Sequence, residues 1–206
     1  MKKIPKYIES AVWNKEEISD PYQVIAESFS SGSLVYYRKN IKKIIHFSFS
    51  EYSWKENPAD IFYRFGLIEK IINAAYLINK EQKKNPLDIR PSDVFNPNLY
   101  SSRWGVNSDW ENFPRALSMK EFMNPYLVLR RFFEYRKLSE WKDLLRSFSE
   151  SIFDTQNIEY ESVNSYDCLT IYFHLVKLLE AVHLIDVREI THIEGRIKNK
   201  FSKSVI

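Results

Sequence analysis

Cysteine and glycine are almost missing from this chain. A single cysteine, Cys168, stands among 206 residues, so no intramolecular disulfide can form and nothing points to an oxidising compartment. Only four glycines are present. That scarcity argues against the many tight turns of an all-β fold. Gly32, Gly66, Gly105 and Gly195 fit neither a GxGxxG nor a Walker pattern, which removes those forms of nucleotide binding. An excess of one charge is missing as well. The chain has 30 basic and 27 acidic residues and a net charge of +3, too little to imply nucleic acid from the total alone. No run approaches the ~18 apolar residues of a membrane span. The start, MKKIPKYIES, has no apolar stretch behind its lysines, as a secretory signal requires. These absences give the expectation of a soluble, cytoplasmic protein with no membrane segment.

What the sequence does have is helical periodicity, with 16% aromatic residues. A chain this long can bury roughly 70% of its unfolded surface, so it needs no metal or disulfide to fold. Asp20-Pro21 opens a short helix, with a capping aspartate and proline in the first turn. Ser33 caps a second over 34–47, where Leu34, Tyr37, Ile41, Ile44 and Ile45 share one face. Asn57-Pro58 opens a third over 58–82, with the stripe Ile61, Phe65, Ile68, Ile72 and Ala75. The period then fails from 83 to 117, a stretch rich in proline, asparagine and serine. Phe95, Leu99, Tyr100, Trp104, Trp110 and Phe113 make it too apolar for a disordered linker. Ser118-x-x-Glu121 is a capping-box pattern for a short helical turn. Helices are expected over 125–137, 140–153 (capped by Ser139), 166–184 and 187–202. The fold class is therefore all-α: six to seven helices in a bundle or short array of helical hairpins, one domain over 1–206, with the ordered 83–117 loop as the place for any subdivision.

The stretch EAVHLIDVREITH holds two Glu-x-x-His copies, Glu180/His183 and Glu189/His192. Helical bundles use that spacing to hold paired metal ions. On one helix, nine residues turn the second copy about 900° and place it ~13 Å further on, so the copies face apart. On two helices, Asp186 caps the second and Glu189 reaches back to it. Glu180 then pairs with Lys177, and His183 belongs to the core stripe of Leu169, Tyr172, Val176 and Leu179. Neither a metal nor another cofactor is expected. Cys168 and His174, six apart on one helix, point away from each other, and GxSxG is absent. No catalytic residue emerges, and a metal-dependent bundle enzyme ranks last among the functions.

Two surface features remain. The first is the loop RWGVNSDWENFPR, in which Arg103, Trp104, Asp109, Trp110 and Arg115 crowd together. Tryptophan and arginine dominate interface hot spots because they combine rigid area with polar edges. The second is a pair of basic rows. Arg188, His192, Arg196 and Lys200 repeat every four residues along the last expected helix, and Lys39, Lys42 or Lys43, and His46 line the second helix. Such rows suit phosphate backbone or an acidic partner. The leading expectation is a non-catalytic protein that binds another protein or itself through the aromatic loop or a helix face. Nucleic-acid binding through the basic rows is the alternative.

Overall fold

The computed structural model describes residues 18, 20–49, 57–82, 89, 94–101, 109–153, 165–190, 192–193 and 196–197. It is all-helical in architecture. Eight α-helices lie among the described residues: α1 Pro21–Ser31, α2 Leu34–Ser48, α3 Pro58–Lys80, α4 Asp109–Asn112, α5 Met119–Met123, α6 Tyr126–Tyr135, α7 Leu138–Phe153 and α8 Ser165–Glu189. A 3-10 turn spans Pro97–Leu99, and the two-residue strands His192–Ile193 and Arg196–Ile197 pair antiparallel.

The helix starts follow local chemistry. The Asp20 carboxylate accepts from the Tyr22 and Gln23 amides, Ser33 Oγ from Tyr36, and Asn57 from Ala59; each satisfies donors that a helix N-terminus leaves open. Ser118 and Glu121 form a complete capping box at α5. The α7 helix begins at Leu138, one residue before the expected cap Ser139, and Glu140 reaches back to the Lys137 amide at 2.6 Å. Gly32 lies between α1 and α2, where a Cβ would meet the Tyr36 ring at 2.9 Å.

α1 and α3 run antiparallel, with Tyr22 donating to Glu81 at one end and Lys70 reaching Glu27 further along. α6 packs on α3 and α8, and α7 on α2 and α3, rather than along each other, and the two meet at their junction. Phe132 stacks flat on the fully buried Trp141 at 4.1 Å, and the indole N–H donates to the Phe132 carbonyl. α8 is the central element and packs against α1, α2, α3 and α6. The main core joins Ile25, Leu34, Ile41, Ile68, Ile71, Phe132, Phe148, Leu179 and Val182 from six helices. Asn73 on α3 is fully buried, its amide has no partner, and nothing in the structure explains it.

Two expectations need correction here. α8 runs unbroken to Glu189 where a break near 185 and a new helix over 187–202 were expected. Asp186 therefore lies inside α8 and Glu189 is its last residue, so neither starts a new helix; Glu189 accepts a 2.6 Å hydrogen bond from the Tyr126 hydroxyl. The second correction concerns hydropathy. Asp167–Glu189 is long and apolar enough by composition to cross a membrane, with a mean hydropathy of 1.5. Its central position accounts for that, since a helix surrounded by other helices is apolar on most sides.

Candidate functional site

α8 presents polar side chains at Lys177, Glu180, His183 and Arg188, and all four reach into the irregular segment 94–123. Glu180 is fully buried. It accepts from the backbone amides of Arg115 at 3.0 Å and Ala116 at 2.8 Å and forms a close ion pair with Arg38 of α2. Arg38 in turn donates to the carbonyls of Glu111 and Phe113, each at 2.9 Å. A carboxylate stripped of water is tolerated only when charge and donors surround it in this way. His183 Nε2 lies 3.0 Å from the Tyr100 carbonyl, and its ring packs on Phe29.

One turn before Glu180, Lys177 bonds both oxygens of Glu121, at 3.0 and 2.8 Å. Arg131 adds a 2.9 Å bond to the same carboxylate. Burial alone raises the Glu121 carboxyl, but the Lys177 bond, the Ser118 amide and hydroxyl, and the Lys177 charge outweigh it and bring the group down to about 2. The expected Lys177–Glu180 pair is thus replaced by two longer-range ones. Arg188 donates from Nε to the Leu99 carbonyl at 2.8 Å and from its other arm to the Phe122 carbonyl, with the guanidinium 4.3 Å over the Phe122 ring. Burial pulls its pKa down to about 10, against the opposing charge of Glu189.

The four side chains clasp residues 94–101 and 111–122, which hold only short helical turns among the described residues, onto the helical body. Beneath the clasps sits a small second core of Val94, Tyr100, Phe122 and Leu184, with Phe113 packed against it. Above them the segment exposes a ridge of rings. Phe113 lies nearly parallel to Phe95 (6.1 Å, 13°) and to Trp110 (5.5 Å, 12°), while Tyr100 meets it edge-on at 4.9 Å. Phe95 is 70% exposed and Trp110 64% exposed.

The sequence-predicted residues divide accordingly. Trp110 is the exposed end of the ridge, and Arg115 has an exposed side chain while its amide serves Glu180. Asp109 opens α4. Arg103 and Trp104 lie outside the described residues. In the basic rows, Lys39 and Lys42 are exposed on α2, Lys43 is half-buried, and His46 is exposed. The second row is corrected. Arg188 turns inward to two carbonyls, and residues 192–193 and 196–197 are extended rather than helical, so Arg188, His192, Arg196 and Lys200 form no helix face. Lys200 lies outside the described residues. In the first Glu-x-x-His copy, Glu180 and His183 serve different partners, and among the described residues no three of His, Cys, Asp and Glu are grouped to hold a metal ion.

Phe95 and Phe113 were visible in the sequence as apolar residues of the loop, but nothing in their spacing announced that they would stack around one another. The ion pairs of Arg38 with Glu180 and of Lys177 with Glu121 span 142 and 56 residues and leave no local signal. The chain matches no protein-family model, and no curated protein or solved structure resembles it significantly.

Proposed function

We propose that this chain is a non-catalytic, intracellular binding module whose docking surface for a partner protein is the Phe95–Phe113–Trp110 ridge. One observation carries the reading: two large aromatic side chains stay exposed on a segment that buried ion pairs hold in place. Exposed aromatics on a mobile tail would lose ordering entropy on binding; a clasped ridge has already lost it. Aromatic rings in such a position offer large rigid area, which is what interface hot spots use. The charged groups beneath the ridge are all engaged in holding backbone or each other, as expected of a scaffold.

A photo-crosslinking residue in place of Trp110, compared with one at the exposed Arg146 of α7, tests this in cells. The expected outcome is a discrete adduct from position 110, absent at 146, that disappears when Phe95 is changed to Ser. An adduct of twice the chain mass identifies the partner as a second copy. Equal labelling at both positions, with no dependence on Phe95, defeats the proposal.

A further inference from the structure

The ridge has neighbours that bear on what it binds. Arg38 bonds the carbonyls on either side of α4's end, so α2 and the ridge segment are directly joined. Lys42 follows Arg38 by one helical turn and so shares its side of α2, while Lys39 is the next residue after Arg38 and turns about 100° from it. Both are exposed, as is the Arg115 side chain beyond the ridge. Among the described residues no carboxylate pairs with Lys39, Lys42 or Arg115, whereas Lys70, Lys142, Lys177 and Arg131 each have one. The Arg38 charge is cancelled by Glu180. Against these three cations stands the half-buried Glu111 of α4.

We infer that the occupant is an acidic, apolar segment of a partner protein. It would place apolar side chains on the ridge and carboxylates toward Lys39, Lys42 and Arg115. This rests on the ridge being a docking surface and adds the chemistry of what docks. Single-stranded nucleic acid would also be drawn to cations beside aromatics, but it binds by stacking successive bases on free ring faces. Phe113 is already stacked with Phe95, Trp110 and Phe122, so the middle of the ridge is taken up by its own neighbours rather than open to a run of bases. Glu111 also opposes a polyanion more than it opposes a short segment that can place its charges.

Fluorescence anisotropy on the full chain tests the inference with three labelled probes: a twelve-residue peptide alternating Glu with Leu and Trp, the same peptide with Ser for Glu, and a single-stranded oligonucleotide of matching length. The acidic peptide is expected to bind about tenfold tighter than the Ser peptide at low salt, the sum of a few exposed charge pairs. The advantage should vanish near 0.5 M salt, where screening acts within a few ångströms. Lys39→Glu with Lys42→Glu should remove the preference while leaving the Ser peptide's binding unchanged, and Trp110→Ala should weaken both peptides. Equal binding of the two peptides, still dependent on Trp110, overturns the acidic inference and leaves the docking surface standing. Binding of neither peptide removes both. Tighter binding of the oligonucleotide overturns the choice of a protein partner.

Discussion

Glu180 and Glu121 are the residues on which the irregular segment depends. Removing one partner of a buried pair leaves the other charged and without water. Glu180→Ala strands Arg38, which is 15% exposed, together with two backbone amides. The expected loss is about 3–5 kcal/mol of unfolding free energy, read from urea titrations; a loss below about 1 kcal/mol, the worth of an exposed pair, would mean the clasp is not a buried one. For Glu121 the sign follows from its depressed value. A carboxyl held at about 2 when folded and near 4.3 when unfolded contributes stability above the unfolded value. That contribution is lost as pH falls from there toward 2. Urea midpoints for the parent chain should drop across that range more steeply than those of Glu121→Gln, and parallel curves would contradict the assignment. The capping partner Ser118 of Glu121 was legible, but neither residue's ion-pair partner was: Lys177 offers itself to Glu180 by helical spacing, yet it bonds Glu121, because α5 brings that carboxylate within 3 Å.

At the scale of elements, capping chemistry was the readable part. Asp20, Ser33, Asn57 and Ser118 start helices as their residue types foretell, because the cap satisfies donors within three residues along the chain. The far end of α8 was not readable. Asp186 and Glu189 match a capping box, but their surroundings decide otherwise: Asp186 is buried, and Glu189 is claimed by Tyr126 from α6. Tertiary partners here override a local pattern. The same element carries Arg188, whose two bonds hold the Leu99 and Phe122 carbonyls. Arg188→Ala should raise amide exchange across 94–101 and 118–123 while exchange in α3 and α7 stays at parent values. Uniformly faster exchange throughout would show that Arg188 supports the whole fold rather than this one segment.

For the whole molecule, apolar periodicity was enough to establish an all-helical body, since each long helix had one stripe that another helix must cover. It could not show that α8 would be covered on most sides, nor that the aperiodic stretch would be settled by four polar side chains of a single helix. The surface shows the same division. Trp110 was legible as a candidate from its residue type and its crowded neighbourhood. The pairing of ridge and lysines was not, because α2 and α4 meet through Arg38, whose bonds span 73 and 75 residues.

The clasps also set an order of events. Arg38 and Glu180 are 142 residues apart, and Leu99 meets Arg188 across 89, whereas Trp141 reaches Phe132 at the α6–α7 junction over nine. Contacts of long separation form late, because loop closure must precede any reward. Of the clasp's residues, those of α8 follow all the others along the chain. The ridge is therefore displayed in order only once α8 has docked on the helices before it, so any partner that read the ridge would also be reading whether α8 is seated.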